Sequence, residues 1–413
     1  MRKIIYLLAV ITLAFCMGAC SDDNGKNGIP VSTVTFTLNE IDNLKEVSYT
    51  EASVAYKNLT TAIEKSEKVA IRDNRFTLTM PQGLYSISFE AKGTYRLDGK
   101  THNTTFKAQI NPATVKGETC ALSFNPFVYS ENAGFVIEEI FYAGSAYPNT
   151  QKPYLGDQYF KITNNSDKAL DAGGLTLVET GFNSSTKFDY TPNIMGEAIT
   201  ADAIYSIPSK GEKKHMVQPG ASIIICDKAI NHKEANTNSF DLSKANFEWY
   251  DESTKPTTTD TDNPSVPNLN KIYCYTATVW VVNRQGNKAY ALVDMKETDD
   301  FLAKYKYDYS WTMVNPVTGK EKTMNSSTYK IPNSWVIDAV QLGTPDKHKW
   351  NVVDASLDAG YTYCGKDSND KTKYGKCVRR KVLSTTADGR KILQDTNDST
   401  RDFERDMIPS LAN

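Results

Sequence analysis

Histidine is scarce in this chain: His102, His215, His232 and His348 are the only four among 413 residues. None forms an HExxH pair and none lies beside a cysteine, so the common zinc-hydrolase pattern is absent. No CxxC spacing occurs, which argues against a structural zinc cage. GxSxG, Walker A and GxGxxG are missing too, and with them the usual marks of α/β-hydrolases, P-loop NTPases and dinucleotide enzymes. A basic excess is lacking: the formal net charge is −2, which offers nothing to nucleic acid or to anionic lipid. Glu138 and Glu139 are neighbours in an extended run and face opposite ways, the wrong geometry for a paired acid and base. No catalytic residue, cofactor or metal site is expected.

Long apolar runs are short supply as well. The one at the N-terminus, Ile4 to Phe15, is about a dozen residues, less than the ~20 a membrane helix needs. Behind the basic head Met1-Arg2-Lys3 it reads as a secretory signal over residues 1–19. Met17-Gly18-Ala19-Cys20 resembles a bacterial lipobox, which implies lipidation at Cys20 and a membrane partner reached through that lipid. Residues 20–30 are a polar tether. Its Ser21-Asp22-Asp23 resembles the surface-export signal of Bacteroides-type lipoproteins, which implies the outer face of the outer membrane. A tether facing the periplasm is the alternative.

Five cysteines remain beyond Cys20. Cys364 and Cys377 flank a polar loop, and a disulfide there would contribute roughly 3 kcal/mol. Cys226 and Cys274 either meet on neighbouring strands or stay as buried thiols. Cys120 stands alone.

What is abundant is alternation and tyrosine. Tyr numbers 23 and Phe 16. From residue 31 to 128, short runs such as Val31–Leu38, Phe76–Met80 and Tyr85–Phe89 alternate apolar and polar residues, the period of a half-buried strand. Turns fall at Arg72–Arg75 and, through Asp98-Gly99, at Leu97–Lys100. In the second part, residues 134–413, the apolar runs Phe135–Tyr142 and Tyr159–Thr163 and the segment Leu175–Val178 give strand, loop, strand, turn, strand. The fold class is all-β: two β-sandwich domains, Ig-like, the second with insertions near 181–202, 229–271 and 296–333.

The piece Phe76–Phe89 resembles carboxypeptidase-regulatory-like, transthyretin-like sandwiches. The pattern from Phe135 to Leu177, Gln218-Pro219-Gly220 before Ile223–Ile225, a hairpin of Thr278–Asn283 with Ala289–Val293, Trp335–Val340 and Asp395–Phe403 resembles a lamin-tail-like Ig sandwich. Nearly the whole chain is similar to an uncharacterised family of Bacteroides-type lipoproteins, a domain of unknown function. That resemblance implies an accessory surface protein, with an outer-membrane transporter as partner.

For a binding site the strongest pattern is Tyr305, Tyr307, Tyr309 and Trp311. Period two puts four rings on one face of a strand. This is either a platform for a sugar ring or another flat ligand, with Phe247, Trp249 and Tyr250 as a second wall, or the core face of an inserted hairpin. Asp260, Asp262 and Asn263 offer calcium fewer than the about six oxygens it wants, so a solvated turn is expected there. Three functions follow: a non-enzymatic surface binding or accessory lipoprotein first, an adhesin-like envelope scaffold second, a hydrolase third.

Overall fold

The computed structural model describes residues 29–41, 44–97, 99–129, 134–209, 214–296 and 299–412. The signal, Cys20 and most of the tether lie outside the described residues. The chain is nearly all β, in several sheets, as the alternation predicts.

Among the described residues of 31–129, strands pair only with each other. Val31–Leu38 lies between Arg75–Pro81, antiparallel, and Thr119–Phe124, parallel. Facing this small sheet is one of five strands, built on the long hairpin Gly83–Leu97 with Lys100–Val115. Alternate residues point inward, so Val34, Phe36, Phe76, Ile87, Phe89 and Phe124 make a stacked aromatic and aliphatic core while the intervening Thr and Ser face water. Asp73 and Asn74 take the positive φ values (50° and 57°) that a two-residue hairpin turn demands. The edge strand Glu64–Val69 is charged and exposed along almost its whole length, which discourages pairing with other chains.

Residues 135–412 form three layers. A six-stranded sheet runs Phe247–Glu248, Ser222–Cys226, Tyr159–Asn164, Phe135–Phe141, Cys377–Arg380, Phe403–Met407. A five-stranded sheet runs Asn270–Cys274, Ala203–Ser206, Leu175–Glu179, Ala289–Asp294, Val336–Gln341. Between them sits the main core, with Ile137, Phe160, Tyr205, Trp249, Trp280 and Tyr290 fully buried. The third layer is a three-stranded sheet, Ala198–Ala201, Glu321–Pro332 and Lys306–Val314, packed on the far side of the five-stranded sheet over Val178, Ile204, Ala291 and Val293. The far side of the six-stranded sheet is covered as well: Phe240, Leu242 and Val266 from the 229–271 insertion close over Phe141 and Tyr159. The insertions are therefore coats on the outer faces of the sandwich. This explains why Leu175–Glu179 is buried at every position: strands covered on both faces read as continuous apolar runs.

Several sequence expectations need correction. Cys364 and Cys377 are free thiols. Cys364 belongs to the core between the sheets and Cys377 to the cluster on the outer face of the six-stranded sheet, so they approach it from opposite sides. Burial pushes the Cys364 thiol up to about 12. Cys226 and Cys274 lie in different sheets and are free too. Thr278–Asn283 is not a strand, and no hairpin joins it to Ala289–Val293; its Trp280 instead plugs the core, with its backbone N–H held by Asp251 at 2.7 Å. A short helix spans Phe301–Lys304, after Asp300 at φ 57°. Arg379 is half-buried and Arg380 buried. Their strand is internal, Arg379 pairs with the buried Glu139, and Arg380 makes two 2.8 Å bonds to Asp338 with Asp402 at 3.6 Å.

The two parts meet at Leu383, which enters a cluster of Ile41, Tyr95, Phe106 and Val128. Arg390 adds a second tie, its guanidinium over the Phe127 ring at 5.9 Å and its Nη1 donating to the Ser166 carbonyl at 3.1 Å.

Candidate functional site: an aromatic face on the third layer

The third layer owes its shape to one hairpin. Lys306–Val314 and Glu321–Pro332 pair in continuous register, and Thr191 bridges to Ser310 on the outer edge with a 2.9 Å bond in each direction. That bridge lays the 181–202 insertion alongside the strand. Phe188 and Tyr190, two apart, then point to the same side as Tyr309 and Trp311.

The rings form one contiguous set. Tyr307 stacks on Tyr309 at 5.1 Å and Tyr309 on Trp311 at 5.6 Å. Tyr190 meets Tyr309 at 5.5 Å edge-on, and Phe188 meets Trp311 at 5.8 Å. Phe182, buried, stacks under Tyr190 at 4.0 Å. Trp350 closes one side, its indole N–H donating to the carbonyls of Asn183 (3.0 Å) and Thr186 (2.9 Å), which pins the insertion. The Tyr307 hydroxyl donates to the Pro192 carbonyl at 2.7 Å. Burial runs as a gradient along the stack. Tyr307 is buried in the core below; Tyr309, Trp311, Tyr190 and Phe188 are half-exposed. Desolvation, reinforced by Tyr309 and Tyr307, pushes the Tyr190 phenol up to about 12, so it stays a neutral hydrogen-bonding group.

Polar groups alternate with these rings along the same segments and turn to the opposite face of the layer. Lys187, Asp189 and Thr312 surround a depression of about 420 Å³ beside Phe188. On that opposite face Asp308, Ser310, Asn325 and Ser327 line an open trough of about 430 Å³. Half-exposed rings suit a ligand with an apolar plane.

Of the residues picked from sequence, Tyr305, Tyr307, Tyr309 and Trp311 do share one face, but only its outer half is open. Tyr305 packs on Phe301 and Trp335 at the base. The second wall does not exist. Phe247 and Trp249 are buried between the two main sheets, and Tyr250 follows them, half-buried, far along the chain from the open rings. They read as ligand-facing because ring-rich loops and core plugs look alike in sequence. Phe188, Tyr190 and Trp350 were missed; the Phe-x-Tyr spacing at 188 and 190 was the available signal. His232 is a satisfied core residue. Its Nδ1 accepts from the Tyr154 hydroxyl at 2.7 Å, and its Nε2–H donates to the Lys228 carbonyl at 2.8 Å. In the closing segment Asp398 and Asp402 accept from backbone N–H groups, and Phe403 is buried. Sequence also gave no hint of a cleft of about 740 Å³ where the two parts meet, lined by Tyr95, Phe127, Tyr129, Asn165, Arg390 and Asp395 among others.

Among the described residues no helix is long and apolar enough to cross a membrane.

Residues 218–410 match a family described as "Protein of unknown function (DUF4876)". The fold is shared with the crystal structure of a DUF4876 family protein from Bacteroides thetaiotaomicron, at 21% identity and a TM-score of 0.58, over 92% of this chain and 96% of that one. Two candidate adhesion proteins, from Bacteroides ovatus and Parabacteroides distasonis, align at 10% identity each over 76% and 74% of this chain and 88% and 85% of theirs. Their TM-scores, 0.18 and 0.20, are too low to carry an argument. No curated protein matches.

Proposed function

We propose that this chain is a non-catalytic binding protein of the cell surface, lipid-anchored at Cys20 to the outer membrane, that captures a sugar ring or a similarly flat, hydroxyl-rich ligand on its aromatic face. The observation that carries the reading is the contiguous half-exposed set Phe188, Tyr190, Tyr309 and Trp311. An accessory role beside an outer-membrane transporter fits a receptor that collects ligand for uptake.

The test is titration of soluble oligosaccharides against the full chain, followed by tryptophan fluorescence and calorimetry. Loss of a stacked ring costs a ligand about 1 kcal/mol, so Trp311→Ala is expected to weaken binding about fivefold with the fold intact by circular dichroism. Binding that ignores both Trp311→Ala and Tyr309→Ala would remove the site. A pull-down of the native lipoprotein from outer membranes should recover a transporter; recovery of the protein alone under gentle detergent argues against that partner. Labelled fatty acid that fails to attach at Cys20 would end the anchoring part.

A second reading, an adhesin-like scaffold, rests on the far end of the same hairpin, where Met313, Val314 and Val317 are exposed.

A further inference from the structure

Where the 229–271 insertion closes over one end of the six-stranded sheet, five carboxylates are buried: Asp157, Asp227, Glu248, Asp251 and Asp260. Four have protein donors. Asp157 accepts from the Ser145 N–H (3.2 Å) and the Ser239 hydroxyl (2.6 Å). Glu248 accepts from the N–H groups of Ala229 and Asn263, both at 2.7 Å. Asp251 takes the Tyr205 hydroxyl (2.9 Å), the Trp280 N–H (2.7 Å) and Lys271 (2.7 Å). Asp260 takes the N–H groups of Asp251 (2.9 Å) and Thr261 (2.8 Å), with Lys228 at 3.7 Å. It is thus a buried acid and not the solvated turn residue the sequence implied. Asp227 is different: it is 2% exposed, and no donor reaches its Oδ1. It sits within the electrostatic reach of Asp260, Asp251 and Asp157, with Lys228 opposing them.

A second oxygen shares the problem. The Asp227 N–H donates to the Gln158 carbonyl at 3.0 Å, extending the Tyr159–Cys226 pairing by one step. Residues opposed across an antiparallel pair point to the same face. Gln158 is fully buried, and its Nε2 is committed to the carbonyls of Tyr142 and, at 2.9 Å, of Val282. That orients the amide and leaves Oε1 without a donor. Two buried oxygens with no hydrogen to accept, beside a cluster with five carboxylates and two lysines, call for positive charge.

We propose that Asp227 and Gln158 are protein ligands of a bound calcium ion, completed by backbone carbonyls or water. Among the described residues no three His, Cys, Asp or Glu side chains converge to hold a metal by themselves, so the amide oxygen is essential to the set. Calcium accepts carboxylate, amide, carbonyl and water oxygens together. Zinc and copper favour imidazole or thiolate, and both nitrogens of the nearby His232 are taken. The rival occupants are a proton on Asp227 and a water held by the indole N–H of Trp249 or Trp280, neither of which has an acceptor. Burial and its acidic neighbours raise the Asp227 carboxyl well above its usual range, so a proton is a real competitor.

Equilibrium dialysis of the wild-type chain with calcium chloride at about 1 mM, in the range of extracellular calcium modules, is expected to show one ion retained per chain. Calcium should raise the melting temperature by a few degrees over chelator, since it binds only the folded state. Asp227→Asn should lower uptake tenfold or more and abolish the shift; Glu252→Gln, an exposed acid on the same insertion, should change neither. No uptake by the wild type overturns the proposal without recourse to any variant. So does undiminished uptake by Asp227→Asn. A melting temperature indifferent to calcium that rises on acidification assigns the charge to a proton and overturns it as well. Saccharide binding at the aromatic face is measured separately, and neither result depends on the other.

Discussion

The two parts of the molecule solve the same problem differently. In residues 31–129 each sheet shows one face to water, and polar residues alternate with apolar ones along Val31–Leu38 and Arg75–Pro81. In residues 135–412 both outer faces of the sandwich are coated, and Phe135–Phe141 and Leu175–Glu179 lose their alternation. The difference teaches that the long insertions serve packing first. Binding capacity is what remains where a coat stops short, as it does at Tyr309 and Trp311.

The sharpest way to break this comparison is to truncate one outward-facing residue in each part. Phe141→Ala removes a fully buried ring from beneath the 229–271 coat, and the cavity should cost about 3–5 kcal/mol in urea unfolding. Thr79→Ala, outward on an uncoated strand, should stay within about 0.5 kcal/mol. Equal costs at the two positions would mean that the coat is not a true second core.

Arg380 tests the same region from inside. It is buried between Asp338 and Asp402, and Asp338 also accepts the Ile137 N–H at 2.6 Å. Arg380→Met leaves those acids without their cation, and a loss of about 3–5 kcal/mol is expected by the same measurement. A near-neutral result would mean that the acids take up protons and that the ion pair adds little.

Legibility in the sequence followed this division. Alternation made the N-terminal strands and the Arg72–Arg75 and Leu97–Lys100 turns plain, because each residue there has a single environment. In the C-terminal part the main strands showed as apolar runs, yet their partners did not. Nothing in Thr278–Asn283 distinguishes a strand from a core plug, since Trp280 would be apolar in either. The basic run around Arg380 gave no sign of its burial, because one-dimensional charge does not reveal the acids that meet it from residues 338 and 402. The aromatic face was half legible: its strand shows in Tyr307, Tyr309 and Trp311, while its other half comes from an insertion more than a hundred residues upstream, a distance that local periodicity cannot span.

The comparison also predicts a pH dependence weighted to the coated part. Burial raises Asp157 and Asp358 to about 6, against the hydrogen bonds that partly offset it. A carboxyl whose pKa is higher folded than unfolded binds more protons in the folded state, so its contribution to stability falls as pH rises from about 4 through the folded pKa near 6. At about 1.4 kcal/mol per unit, each group weighs at most a few kcal/mol. Acids nearer the surface such as Asp241 and Asp370, lowered by hydrogen bonds to neighbouring N–H groups and hydroxyls, act in the opposite sense and only towards lower pH. Thermal melts should therefore show highest stability near about pH 5 and a decline towards neutrality, and Asp358→Asn should flatten that decline. Because Asp358 accepts from the Ser399 hydroxyl and from the N–H groups of Gln341 and Gly360, the variant must be compared through its slope with pH and not its absolute stability. A wild-type profile that rises steadily from pH 5 to 7 would show that these carboxyls are charged when folded, and that their hydrogen bonds outweigh the coat above them.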